Sequence, residues 1–270
     1  MPQHLTLIVG TRASNLSQIQ TGHALATIRS MLPGIDFDVT PMSSPGDEDK
    51  GADLKTSAAD FFTRFLDNAV RDGTVDLAIH SAKDLPEPMP DGLDWFWLPW
   101  HEDARDVLVL ATGSTIDDLP PCPVAGVSSE RREQYIKTRF PDAQQKYIRG
   151  TIEERLDQLD RGDFDMVIIA GAALNRLGLQ ARINEWIPTD ALAPPDGQGA
   201  LAVTFRVGDA RLMRLRALAV KAVTFVGAGP GHPDLISGAG IRALSRCDVC
   251  LYDALATAAL LQHLRPDARA

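Results

Sequence analysis

The chain has 270 residues, 44% hydrophobic and 23% charged, the composition of an ordinary globular protein long enough to bury two modest cores. Its formal net charge of −9 excludes a general binder of nucleic acid or anionic membrane, which needs a basic field, but leaves room for a local anion site. No apolar run approaches the roughly 18 residues of a membrane span, and the first apolar run lacks the basic flank and length of a signal peptide, so a cytoplasmic protein is expected, and a monomer is taken as the expectation for its assembly.

Short apolar runs alternate with amphipathic segments. Leu5–Val9 predicts a buried strand, and Leu16, Ile19, Leu25 and Ile28 give residues 15–31 helical spacing, stopped by Pro33-Gly34. Phe37–Thr40 predicts a second strand, Ser43 to Lys50 a polar loop, residues 59–72 a helix and Val75–His80 a further buried strand. A loop is expected after Pro86, Pro88 and Pro90. A new series follows: strands at Val107–Ala111, Val124–Val127, Lys146–Ile148 and Met166–Ala170, with helices near 130–139 and 152–161. Beyond Ala193-Pro194-Pro195 lies a strand at Leu201–Phe205. The alternation predicts an α/β fold with two lobes around a cleft, the chain leaving one lobe and returning to it. Past Leu215 the pattern restarts: a strand at Val223–Val226, a glycine-rich turn at Gly227–Gly231, a helix over 234–246 and a strand at Val249–Tyr252. Roughly 45 residues form an independent core with difficulty. Cys247-x-x-Cys250 has metal-like spacing, but no second pair accompanies it, so it and Cys122 are read as packing residues of a reducing compartment, with no metal site.

Basic residues recur just after strands: Arg12, Lys83, Arg131, Arg132, Arg149 and Arg176, with Arg155 early in a helix. Ligands of open α/β sheets bind beyond the strands' carboxyl ends, where guanidinium groups can grip carboxylates bidentately. Helix starts near Ser129 and Thr151 would add N–H donors. The alternative is a set of surface ion pairs with the many acids. Asp84, beside Lys83, can stabilise a cation and move a proton, or simply cap a turn or form a salt bridge. His80 reads as the end of a buried strand. Trp95, Trp97 and Trp100 read as lobe packing, with pocket lining as the alternative.

Several segments resemble hydroxymethylbilane synthase (porphobilinogen deaminase), in the family's order. They are Thr11-Arg12-Ala13-Ser14 with Gln20, His80-Ser81-Ala82-Lys83-Asp84-Leu85-Pro86, Ala104-Arg105-Asp106 and Gly126-Val127-Ser128-Ser129-Glu130-Arg131-Arg132. Arg149-Gly150 with Arg155, Leu174-Asn175-Arg176-Leu177-Gly178-Leu179 and Gly197-Gln198-Gly199-Ala200 complete the set. The resemblance implies two lobes like those of type II periplasmic binding proteins, at residues 1–99 with 200–216 and at 100–199, followed by a third small domain. It implies polymerisation of four porphobilinogen molecules to hydroxymethylbilane with loss of ammonia, on a dipyrromethane cofactor held by a cysteine thioether. Asp84 would stabilise pyrrole cations and assist proton transfer. Lys83, Arg131, Arg132, Arg149 and Arg155 would hold carboxylates of cofactor and chain. Arg12, Ser14, Gln20 and Arg176 would serve the incoming substrate, with Lys55 and Ser129 as further contacts.

This sequence departs from the pattern in places. Lys55 and Phe62 match the family's loop, but Ala59-Asp60 replaces a lysine-glycine pair. Val127 and Thr151 replace a hydroxyl residue and an asparagine, each a lost contact of about 1 kcal/mol. No cysteine lies in the cofactor motif, so the chain is expected not to turn over unaided. Instead, the segment Val226-Gly227-Ala228-Gly229-Pro230-Gly231-His232-Pro233-Asp234-Leu235, with Ala243-Leu244 and Asp248–Asp253, resembles the opening of uroporphyrinogen-III C-methyltransferase, with His232 in place of an aspartate. Residues 217–270 are therefore expected to be a partial methyltransferase segment that would use S-adenosylmethionine only if completed. A non-catalytic tetrapyrrole-binding module and a truncated methyltransferase fusion are the alternatives.

Overall fold

The computed structural model describes residues 5–43, 63–219, 225–227, 232, 235–245, 247, 250–252 and 258–264. Lys55, Phe62, the loop expected over 44–50 and most of the glycine-rich turn lie outside the described residues. The chain divides into two compact units, Met1–Val220 and Lys221–Ala270.

In the first unit, β1 (Leu5–Arg12), α1 (Asn15–Met31), β2 (Ile35–Met42), α2 (Arg64–Asp72), β3 (Leu77–Ser81) and a 3-10 turn (Ala82–Asp84) are followed by β4 (Leu93–His101). Then come β5 (Asp106–Leu110), β6 (Val124–Val127), α3 (Glu130–Arg139), β7 (Gln144–Tyr147), α4 (Ile152–Asp160), β8 (Met166–Ala170), α5 (Gly171–Arg176), β9 (Glu185–Trp186), β10 (Ala200–Arg206) and α6 (Ala210–Ala219). They build two five-stranded sheets, ordered β2-β1-β3-β10-β4 and β7-β6-β8-β5-β9. In the first, β1, β2 and β3 are parallel while β10 runs antiparallel between β3 and β4. In the second, β6 is parallel to β7 and β8, and β5 is antiparallel to β8 and β9. The chain crosses between sheets at residues 102–105 and returns before β10.

Both faces of each sheet are covered, which is why β8 and β5 after Asp106 read as unbroken apolar runs. Ile28 of α1 and Leu212 and Leu215 of α6 pack on Leu7, Val9, Ile79, Phe96 and Phe205. Leu66 and Val70 of α2 fill the opposite face against Val75, Ala78 and Leu93. Two further cores flank the second sheet, one with Leu156 and Leu159 of α4, the other with Tyr135 and Ile136 of α3.

Three expectations are corrected. The loop expected after the prolines becomes β4, whose alternation of exposed Trp95 and Trp97 with buried Phe96 and Leu98 is that of a half-buried edge strand. Trp95 and Trp97 therefore point outward, whereas Trp100 meets His23 and Arg176. The strand expected at Lys146–Ile148 begins two residues earlier and ends one earlier, because Gln144–Tyr147 is the stretch in register with β6. The two-residue β9 gives no periodic signal at all. The helix expected over 59–72 spans Arg64–Asp72 among the described residues.

In the second unit, α7 (Gly238–Leu244) is capped by Ser237, whose Oγ accepts from Gly240 N at 3.1 Å. It is followed by a 3-10 segment at Ala258–His263. Cys250–Tyr252, expected in a strand, is irregular. No helix among the described residues is long and apolar enough to cross a membrane.

Candidate active site

Parallel strands deliver their carboxyl ends to one side of a sheet, and loops there escape the ladder and are available for ligands. Arg12 ends β1, and Ser14 caps α1, its Oγ accepting from Ser17 N at 3.3 Å. Gln20, one turn and a half along α1, donates to Ser81 Oγ at the end of β3 (2.9 Å). Lys83 and Asp84 stand on the 3-10 turn that follows. From the second sheet, Ser128 and Arg132 follow β6, Arg149 follows β7, Arg155 lies in the first turn of α4, and Arg176 ends α5. All these residues line a single cavity of about 1150 Å³.

Two expected residues are placed differently. Arg131 is absent from the cavity lining; it donates to the Ala193 carbonyl (2.9 Å) and pairs with Asp106 (2.5 Å). Ser129, at the N-cap of α3, makes no capping bond, and its buried Oγ has no hydrogen-bond partner. At α4 the cap is complete: Thr151 Oγ1 accepts from Glu154 N (3.2 Å) while Glu154 accepts from Thr151 N (3.0 Å). That helix start has bound its own carboxylate, which weakens the expectation of donors left for a ligand.

The organising acid of the wall is Asp106, the first residue of β5. It is fully buried, and besides Arg131 it accepts from Arg132 (2.8 Å) and from Gln198 Nε2 (3.1 Å). Burial draws its pKa upward, but Arg132 and then Arg131 outweigh this and hold it below the ordinary carboxylate value. Arg132 also donates to Ser128 Oγ at 3.2 Å, leaving a buried Nε with no hydrogen-bond partner. Neither Asp106 nor Gln198 was assigned a role from the sequence. Both lie inside quoted motifs, and the available signal was an acid opening an otherwise wholly apolar strand.

The cations strain against one another. Arg155, held by the Gly150 carbonyl (2.9 Å), is pushed down to about 10 by burial and then by Arg132 and Arg149. Lys83 is shifted below its usual value chiefly by desolvation, which Asp84 opposes and Arg132 and Arg155 reinforce. Its side chain is nonetheless exposed, so that desolvation is partial. Burial likewise lowers Arg176, with Glu102 opposing. Arg176 donates to the Gly199 carbonyl (2.5 Å), and its guanidinium carbon lies 5.9 Å from the Trp100 ring centroid. His80, bonded to Thr204 Oγ1 at 2.9 Å, is held neutral by burial and by Arg12, its pKa falling to about 4. Where burial and neighbouring cations lower Lys83, Arg155 and Arg176, an arriving carboxylate relieves an existing cost. Among the described residues no group of His, Cys, Asp and Glu is arranged to hold a metal.

Residues 7–214 match the family model described as porphobilinogen deaminase, dipyromethane cofactor binding domain, and residues 222–270 match that of tetrapyrrole (corrin/porphyrin) methylases. The chain is 38% identical over 203 residues to a porphobilinogen deaminase of Burkholderia vietnamiensis, covering 75% of this chain but 61% of that protein. It is 37% identical over 210 residues to one of Syntrophobacter fumaroxidans, covering 77% of this chain and 68% of the relative. Among solved structures, a putative lipoprotein from Actinomyces odontolyticus aligns with a TM-score of 0.48 at 14% identity, covering 80% of this chain and 91% of its own. The sequence matches, running through both sheets and every element that lines the cavity, show that the chain belongs to the porphobilinogen deaminase family.

Proposed function

We propose that this chain is a hydroxymethylbilane synthase-type transferase that condenses porphobilinogen head to tail with loss of ammonia. The observation carrying this reading is the convergence of Lys83, Arg132, Arg149, Arg155 and Arg176 on one cavity with Asp84 among them. Every pyrrole unit bears an acetate and a propionate, so a growing chain presents a row of carboxylates. Fixed guanidinium forks match that row in charge and geometry. Loss of ammonia from an aminomethyl pyrrole leaves a cation shared with the ring nitrogen. Asp84 is the acid placed to stabilise that charge and to take up the proton released when the new carbon–carbon bond forms. Arg12, Ser14, Gln20 and Arg176 are assigned to the incoming unit, and Lys55 and Ser129 remain proposed contacts.

The donor set suits a dipyrromethane: four cations, one with a buried Nε lacking a hydrogen-bond partner, answer a group bearing several carboxylates. Bound there, it would supply the pyrrole end that accepts the next unit, while Arg132, Arg149, Arg155 and Lys83 orient it. No cysteine stands among the described residues lining the cavity, so the assay includes a preformed bilane primer. Residues 1–99 with 200–216 and residues 100–199 are proposed as the two lobes. Residues 217–270 are proposed as a methyltransferase-like segment whose ligand would be S-adenosylmethionine. The chain is proposed to act as a cytoplasmic monomer.

The test incubates the protein with porphobilinogen and primer and follows ammonia and bilane. Turnover that falls at least about a hundredfold in Asp84→Asn, the scale of a lost general acid–base group, is expected. Porphobilinogen bound in a calorimeter with no ammonia released would leave a tetrapyrrole-binding module instead.

A further inference from the structure

Gln198 is 96% buried by the return crossing and touches three groups from three segments. Its Oε1 accepts from Lys83 Nζ at 3.1 Å, and its Nε2 donates to the Ala104 carbonyl at 2.7 Å and to Asp106 Oδ1 at 3.1 Å. These partners dictate the amide's orientation, because a flipped amide would aim its NH2 at an ammonium and its oxygen at a carbonyl and a carboxylate. The backbone around it cannot move away. Gly197 and Gly199 both have positive φ (72° and 87°), a Cβ on Gly197 would lie 3.0 Å from Lys83 N, and one on Gly199 would overlap the Glu102 carbonyl oxygen.

We propose that Gln198 is a positioning residue, a neutral spacer that keeps the Lys83 ammonium presented to the cavity and off the Asp106 carboxylate. Ammonium and carboxylate stand one amide apart, and opposite charges this close would otherwise close into an ion pair. Such a pair would withdraw Lys83 from the cavity and compete with Arg132 for Asp106 Oδ1. The charged groups that face Lys83 are Asp84 on its own turn, Asp106 at the start of β5, Arg132 on α3 and Arg155 on α4. Only the amide at 198 separates the ammonium from the second of these acids. A glutamine does this because it offers an acceptor to one side and donors to the other. The inference deepens the carboxylate-binding reading of the cavity, yet its test needs neither substrate nor turnover.

The experiment is competitive trace acetylation of the full chain across a pH series, with the Lys83 peptide quantified by mass spectrometry. In Gln198→Met, which keeps the length and apolar stem but removes both amide functions, Lys83 is expected to label about three- to tenfold more slowly near pH 8, because an ammonium paired with a carboxylate releases its proton less readily. A loosened wall would have the opposite effect, exposing the amine and speeding its acetylation. Gln198→Leu provides the same reading should the methionine variant fail to fold. A folded variant, with parental circular dichroism, whose Lys83 labels at the parental rate or faster overturns the proposal. Protection of Lys83 by porphobilinogen in the parent chain reports on the cavity reading alone, so the two failures are separable.

Discussion

Arg155 beside Arg132 and Arg149, and Lys83 beside both Arg132 and Arg155, make up a wall in which each cation raises the cost of the next. Asp106 offsets part of that cost by pairing with Arg131 and accepting from Arg132, so the two adjacent arginines of one motif do different work. Arg131 is spent on Asp106 and the Ala193 carbonyl, and Arg132 alone reaches the cavity. A sequence shows both arginines at a strand end but cannot show that a buried acid 25 residues earlier claims one of them. His80 illustrates the same electrostatics in stability. Its folded pKa, about 4, lies below the unfolded reference of 6.5, first through burial and then through Arg12. Between those values the unfolded chain binds the proton and the folded one does not. Stability is therefore fully present above pH 6.5 and is lost as pH falls towards 4. Urea unfolding should show a loss of up to about 3 kcal/mol from this group across that window. In His80→Gln the loss should be correspondingly smaller; equal pH slopes in the two proteins would show that His80 carries a proton in the folded state.

At the scale of elements, catalysis is proposed to depend on short, irregular pieces that long ones hold in place. The periodic segments were legible: β1, α1, β3, β6, α3, α4, β8 and β10 lie where apolar spacing puts them, since burial against a second layer leaves that spacing in the sequence. β4 was hidden because prolines precede it and Pro99 lies within it, although Trp95-Phe96-Trp97-Leu98 carries the alternation of an edge strand. β9, two residues long, could not be seen. The return crossing lies near Ala193-Pro194-Pro195 as expected, whereas the outward one lies at 102–105, after β4 rather than at Pro86 to Pro90. The tightness of either was not legible, since it depends on one backbone touching another. Gly199 is the sharpest instance. Its φ of 87° and the overlap a Cβ would make with the Glu102 carbonyl coincide with hydrogen bonds that its own carbonyl accepts from Glu102 N (3.0 Å) and Arg176 (2.5 Å). Gly199→Ala is expected to destabilise by roughly 2 kcal/mol or more, backbone strain plus displacement of the crossing. It should also weaken porphobilinogen binding through Arg176. A denaturant midpoint unchanged from the parent would mean the crossing yields easily.

For the whole molecule, the acidic balance and the cationic cavity are reconciled by distance. A formal charge of −9 is spread over the chain, whereas seven lysine and arginine side chains line one recess of about 1150 Å³. Exposed charges beyond roughly 8–10 Å are screened at physiological salt, so the recess sets its own local potential. The same locality bears on the second unit. Every described residue that lines the cavity lies within Met1–Val220, and the two sheets there carry their own buried cores. If carboxylate recognition depends on those side chains alone, removing Lys221–Ala270 should leave porphobilinogen affinity within about twofold, a change of roughly 0.4 kcal/mol. Arg149→Ala in the intact chain, by contrast, should cost about tenfold or more, the scale of a charge-assisted hydrogen bond. Calorimetric titration of the shortened protein distinguishes the cases. A tenfold loss on shortening, with circular dichroism of the first unit unchanged, would mean that the methylase-like segment contributes to the ligand's site, and the cavity's cations would no longer be a sufficient account of binding.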